Sequence, residues 1–476
     1  MSLTKATYAM INGAPYNALD YGADPTGVAD CTAAYVAAKA AITASGQPGM
    51  LVFPTGTYKF NSPITLDVSL MSIQGVNSRF NFAGITTSQT AITVTGSIGD
   101  IYSQIKDVLT GVVITGPGAS GSSIGIYFNA ASEPGPAHVA LRNVAVTGFN
   151  YGISYGSNAY ILTFDHCNIY ANNRGFQTYV GAGANSGERI TFINSSIFNN
   201  AAYGVRVEDS NASVHLIGCS IDYNQQALYV SRGALQVTSC FLEFTNPIGG
   251  QDPRFLYADG LGGNTVGVMF SDCVFKIGAV TSSTSTPVFD VTSTVNLSHS
   301  NCYFYLNSNR TEIFKMRTGS FYNEVNAKAQ YSGGSFRTLD AGCTYTINST
   351  GQNSVGIKTN QNIYNEVPSY AVYSTVSITD IFTSAFATGN AATSNIIVTE
   401  GVYTLYVHTY TGLNATAVGQ YLITRKGTGT AVTTVVANAS VSVAVNGSYF
   451  VVVTNTSGAD RTLDCTIVKQ AIVNIV

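Results

Sequence analysis

The sequence predicts an all-β protein built on a parallel β-helix, a solenoid of stacked coils, with an N-terminal capping helix and a C-terminal antiparallel β-sandwich. Three observations predict it. A strand–turn–strand phrase recurs at steps of 21 to 33 residues between Val144 and Cys302. Five of the eight cysteines occupy one position of that phrase. The composition is poor in charge, 10% against roughly 25% in an average soluble domain. It is rich in Tyr (29) and Phe (23), residue types that fit a pleated surface.

The helix comes first. CTAAYVAAKAAITA (31–44) is the one convincing helical run, with Asp30 as expected N-cap and Gly46 as stop. It precedes the repeats, where a helix can close the open end of a solenoid and cover exposed core. From about residue 139 the repeat sets in: LRNVAV (141–146), FDHCNI (164–169), FINSSI (192–197), LIGCSI (216–221), VTSCFL (237–242), FSDCVF (270–275) and, less cleanly, SHSNCYF (298–304). The aligned residues are Val144, Cys167, Ser195, Cys219, Cys240, Cys273 and Cys302, a mean step of about 26, within the 20–50 residues of a solenoid coil.

The residue before each of these is Asn143, His166, Asn194, Gly218, Ser239, Asp272 or Asn301, mostly types that tolerate positive φ in a tight bend. Two residues beyond, Val146, Ile169, Ile197, Ile221, Leu242 and Phe275 must point inward by strand alternation. The cysteines are therefore expected as small apolar core fillers, neither disulfides nor metal ligands. A second strand family follows each loop: GISY (152–155), GFQTY (175–179), GVRVE (204–208), ALYVS (227–231) and FLYAD (255–259). Past about residue 340 the phrase fades and alternating strands with Asn446-Gly447 and Ser457-Gly458 turns take over. The expected division is a connector over 1–15, the solenoid over 16–345, a linker over 346–369 and the sandwich over 370–476.

A net charge of −3 offers no basic field for nucleic acid. No run of 18 apolar residues suits a membrane span, and the N-terminus lacks the apolar stretch of a signal peptide, so synthesis in a cytoplasm without a leader is expected. With five histidines and no HxH or HExxH, neither a metal nor another cofactor is expected.

NALDYGADPTGVADCTAA (17–34) resembles the pattern (V/N)xDFGAxxDGxxDDTxAI, and GQPGMLVFPTGTYKF (46–60) resembles GGxVxFPPGTY. These phrases mark the pectate-lyase-like superfamily of right-handed β-helices, and with LTKATYAMINGAPYNALDYGAD in particular its phage tailspike depolymerases. The resemblance covers residues 3–60 and departs at Cys31, where the family usually has a second Asp. It implies a right-handed helix in a homotrimer, carried on a phage tail or baseplate through the N-terminus, that binds or cleaves bacterial surface polysaccharide. A lone solenoid's exposed flank and ends also favour such an assembly. The phrases belong to the cap and carry over no catalytic residue.

Chemistry is expected at outward positions of the register. Three residues after the aligned site stand Thr147, Tyr170, Phe198, Asp222, Glu243 and Lys276, which places Asp222 and Glu243 on neighbouring coils. Like charges so close raise one pKa and leave an acid beside a base or nucleophile, the requirement of glycoside hydrolysis. Asp252 and Arg254 in the following loop are expected to extend the pair, and Tyr170, Phe198 and Tyr223 to offer stacking faces for sugar. The second strand family presents a rival outward set, Arg206, Glu208, Tyr229, Tyr257 and Asp259. There an Arg beside a Tyr would suit a lyase that abstracts a proton next to a uronate. A glycan-binding spike without catalysis is the third reading.

Overall fold

The computed structural model describes residues 14–98, 105–178, 185–244, 254–260, 266–280, 286–292, 294–308, 312–325, 327–332, 335–340 and 343–348 of the N-terminal unit. It also describes eight strand segments between 375 and 470. The chain divides into Met1–Asn353 and Ser354–Val476.

The first unit is a parallel β-helix with three ladders. The first ladder includes Ala137–Arg142, Tyr160–Asp165, Ile190–Ile193, Ser213–Ile217, Ala234–Thr238, Val266–Ser271 and Val295–Ser300, each paired in parallel with the next. The second runs through Ala145–Thr147, Asn168–Tyr170, Ser196–Phe198, Ser220–Asp222, Phe241–Phe244 and Val274–Val280. The third is an 11-stranded sheet that includes Tyr151–Tyr155, Arg174–Gln177, Tyr203–Val207, Gln226–Val230 and Arg254–Ala258. The second strand family of the sequence is this third ladder.

The bend between the first two ladders follows the expected register at every coil. Asn143, His166, Asn194, Gly218, Ser239, Asp272 and Asn301 all have φ between 50° and 63°. The next residue turns inward: Val144, Cys167, Ser195, Cys219, Cys240, Cys273 and Cys302 are at most 2% exposed, and the cysteines are free thiols. Burial pushes the Cys167 thiol up to about 12, as an apolar site does to any group that would ionise there. Val146, Ile169, Ile197, Ile221, Leu242 and Phe275 complete the inward column at 0% exposure.

The bend between the second and third ladders is held from inside by a column of carboxamides. Asn172 accepts from the Phe149 amide, its own amide donates to Asn200 Oδ1 at 3.1 Å, and the Asn200 amide donates to Asn224 Oδ1 at 3.0 Å. The side-chain amides continue the chain, Asn200 Nδ2 donating to Asn224 Oδ1 at 2.9 Å. Buried backbone donors that the bend would orphan are thereby satisfied.

Two local expectations are corrected. The helix spans Thr32–Ala44 with Cys31 at the cap position; Asp30 stands one residue further out and holds Thr32 through its amide and hydroxyl. His299 lies within the strand Val295–Ser300 and is fully buried, stacked 5.0 Å from Phe270. The solenoid strands run on to Thr344–Asn348, into the expected linker; residues 349–369 of that linker, and 1–13 of the connector, lie outside the described residues.

Among the described residues of the second unit every strand pairing is antiparallel, in a five-stranded and a three-stranded sheet. Among the described residues no helix is long and apolar enough to cross a membrane.

Candidate functional site

On the outer surface of the second ladder the register brings Tyr170, Phe198, Asp222, Glu243 and Lys276 into one column on successive coils. Inward Ile, Leu and Phe neighbours fix the orientation, because alternation along a strand sends every second side chain outward. Tyr170 and Phe198 stack with ring centres 5.0 Å apart and planes 3° apart. Glu243 is ion-paired with Lys276 at 2.9 Å. Asp222 accepts from the Ser220 hydroxyl through Oδ2 at 2.5 Å, while its Oδ1 is buried and unpartnered.

Burial raises the pKa of Asp222; the Ser220 hydrogen bond opposes this, and repulsion from Glu243 adds to it. Mutual repulsion was the expected cause of a raised pKa; desolvation by burial is the larger one. The two carboxylates thus sit in unlike surroundings, one desolvated and the other paired with a cation. Tyr223, in the bend after Asp222, has φ 53° and is 41% exposed.

Arg254 does not join this pair. It starts a strand of the third ladder, packs over Tyr257 at 5.1 Å and bonds Asp290 at 3.3 Å. Asp252 lies outside the described residues.

The rival set assembles on the third ladder. Arg206, Tyr229 and Tyr257 share one column on successive coils. The Arg206 guanidinium is flanked by the rings of Tyr203 and Tyr229 at 4.8 and 4.9 Å and bonds Glu208 at 2.6 Å. The strip points outward but is not open: Glu208 and Tyr229 are each only 7% exposed. Burial pushes the Tyr229 phenol up to about 12. Asp259, which accepts from Tyr229 at 3.4 Å, is also raised, chiefly by burial.

One cluster was missed. Arg142 bridges Asp107, at 2.8 Å, and Asp165 on the first ladder, and Asp165 also bonds His166 Nδ1 at 2.6 Å. The Arg142–Asp165 rung was available from the repeat alignment, since both are the residue just before the bend. The contribution of Asp107 was not, because its strand precedes the first clean repeat. Among the described residues no group of three or more His, Cys, Asp or Glu is placed to hold a metal ion.

The family described as "Right handed beta helix region" matches residues 77–246, across the ladders just described. The solenoid is a right-handed β-helix. Several solved structures are similar to this chain. The gp42 tailspike of Acinetobacter phage vb_AbaP_AS12 aligns with a TM-score of 0.54 and 13% identity over 90% of this chain and 83% of its own. The catalytic domain of Agl-KA gives 0.48 and 16%, over 72% and 70%. ORF18 of Geobacillus virus E2 gives 0.46 and 17%, over 97% and 79%. At 13% identity the likeness to the gp42 tailspike is one of fold.

Proposed function

We propose that this right-handed β-helix is a tailspike-type depolymerase that binds bacterial surface polysaccharide (capsule, O-antigen or exopolysaccharide) and cleaves it by glycoside hydrolysis. The observation that carries the reading is the second-ladder column: a desolvated carboxyl, Asp222, one coil from an ion-paired carboxylate, Glu243, continuous with the Tyr170–Phe198 platform. The N-terminal phrases and the similarity to the gp42 tailspike support the setting.

In this reading Asp222 is the general acid, since burial favours its protonated form and a leaving glycosidic oxygen needs a proton. Glu243, paired with Lys276, serves as base or nucleophile. Coils ~4.8 Å apart allow side chains of unequal length to reach either the ~5–5.5 Å of retaining or the ~6.5–9.5 Å of inverting hydrolysis. The aromatic pair offers flat apolar faces on which sugar rings rest. The remaining parts of the proposal are a homotrimer with residues 370–476 as clamp or sugar-binding module, and attachment to a virion tail or baseplate through residues 1–15. The protein then acts at the bacterial surface.

Elimination by Arg206 and Tyr229 is the weaker chemistry, because the guanidinium is already engaged by Glu208 and the phenol is buried with its pKa raised. The test is digestion by Asp222→Asn and Glu243→Gln. Each is expected to lose at least 100-fold in new reducing ends, the order of a general acid–base contribution, with folding unchanged. Cleavage at the unmodified rate by both overturns the assignment.

A further inference from the structure

Four of the buried cysteines form an unbroken run across the coils. The amide of Phe241 donates to the Cys219 carbonyl, that of Val274 to Cys240 and that of Tyr303 to Cys273, so Cys219, Cys240, Cys273 and Cys302 stand on successive coils. Each is at most 2% exposed. Their sulfurs are held alike, each against a carbonyl of the preceding coil. Cys219 Sγ lies 3.5 Å from the Phe192 oxygen, Cys240 Sγ 3.4 Å from that of Leu216 and Cys273 Sγ 3.3 Å from that of Val237.

Within the run the thiols pair. The Cys240 thiol donates to Cys219 Sγ and the Cys273 thiol to Cys302 Sγ; these bonds lower the pKa of the acceptors and raise that of the donors. Cys167 is as deeply buried but has Val144 on one neighbouring coil and Ser195 on the other, so no thiol adjoins it.

Two stacked sulfurs suit one class of ligand. Thiolates select soft metal ions. Among the described residues no third His, Cys, Asp or Glu is placed to join either pair, so an ion that needs a tetrahedral shell of four ligands, such as zinc, is not satisfied. A linear sulfur–metal–sulfur unit, at ~2.3 Å per bond as in a zinc thiolate, spans ~4.6 Å, close to the ~4.8 Å between coils. Charge decides the valence. An apolar core strongly disfavours a net charge, and a monovalent ion that replaces the proton between two sulfurs introduces none.

We propose that the Cys219–Cys240 and Cys273–Cys302 pairs each bind one soft, two-coordinate monovalent cation, of which Cu(I) is the biological example. In each pair the ion gains two bonds to sulfur and one thiol proton leaves for solvent. The bound unit is a thiolate, a thiol and the cation, neutral in sum, and neither sulfur nor metal changes oxidation state. Asp222, Glu243, Lys276 and Tyr305 lie three residues beyond the four cysteines, so the ions staple the coils beneath the second-ladder column. The site does not depend on the hydrolytic reading. Spacing along the chain gives no sign of it, because the two ligands of a pair come from different coils.

The test is copper retention by the full chain. The protein is incubated with Cu(I) under nitrogen, with excess glutathione to compete at exposed thiols, then desalted. Copper per chain and the unfolding temperature are measured on the same samples. The unmodified chain is expected to keep two ions, one per thiol pair, and to unfold at a higher temperature than without copper. Cys240→Ser with Cys273→Ser leaves none of the four cysteines beside another and is expected to lose both ions. Serine already fills this buried position at Ser195, so the fold accommodates the change. Cys240→Ser alone, should the double variant not fold, is expected to lose one. Cys167→Ser is expected to lose none. The proposal is overturned by an unmodified chain that keeps no copper, by undiminished copper in folded Cys240→Ser, or by an equal loss in Cys167→Ser.

Discussion

Asp222 combines two properties that rarely coexist at a surface position: it faces outward from a strand, yet its carboxyl is desolvated and one oxygen lacks a partner. The consequence for stability has a definite sign. A carboxyl whose folded pKa lies above its unfolded value destabilises the fold once pH rises through that raised value, and the cost vanishes below the ordinary Asp range of about 3.9. Asp222→Asn is therefore expected to raise the unfolding temperature at pH 7 and to lose that advantage near pH 3, measured by thermal melts across pH. In the proposed reading the same residue governs the alkaline side of activity, because a general acid works only while protonated. Lys276 lowers the Asp222 pKa through its charge. Lys276→Met is expected to move the alkaline limb of the rate profile to higher pH, and an unmoved limb contradicts the acid role. This placement was partly legible beforehand. The repeat alignment placed Asp222 beside Glu243, but which carboxyl is desolvated depends on packing around the bend, which spacing does not encode. Arg254 was placed beside the pair for a similar reason: its distance in sequence from Glu243 is short, but the two residues lie on different ladders.

The strands are short, so each coil depends on its bends. Every left-handed position before the buried column carries Asn, His, Gly, Ser or Asp, and this was readable because only such residues adopt that backbone at low cost. Ser239→Val, with φ 53°, places a β-branched side chain in that conformation and is expected to cost about 1–2 kcal/mol. The second bend escaped the sequence reading, since Asn172, Asn200 and Asn224 look like ordinary loop polarity until the coils are stacked. Asn200→Ala removes the acceptor for the Asn172 amide and is expected to cost about 1–3 kcal/mol for each buried group left unmade. Urea midpoints of the two variants check both values; a change below about 0.5 kcal/mol is the size expected of an ordinary surface substitution and contradicts the structural role.

At the scale of the molecule, the division near residue 353 leaves the column from Tyr170 to Lys276 within the first unit. A chain ending at Asn353 is accordingly expected to retain cleavage of short oligosaccharides. If residues 370–476 act as the trimer clamp, its mass by light scattering falls to one subunit, while the full chain gives three times 50.0 kDa. The architecture was legible because a solenoid writes the same instruction many times: seven aligned bends and a column of cysteines survive local irregularity. Function is written once, in side chains whose neighbours come from coils 20 to 50 residues away, and that is where the reading of the sequence thinned.

The most direct test of the central claim is digestion of purified surface polysaccharides from candidate host bacteria. New reducing ends are scored together with the ultraviolet absorbance of a new double bond. Hydrolysis at Asp222 and Glu243 predicts reducing ends without absorbance, lost in Asp222→Asn and in Glu243→Gln. Reducing ends accompanied by absorbance, or cleavage that survives both substitutions, contradicts it.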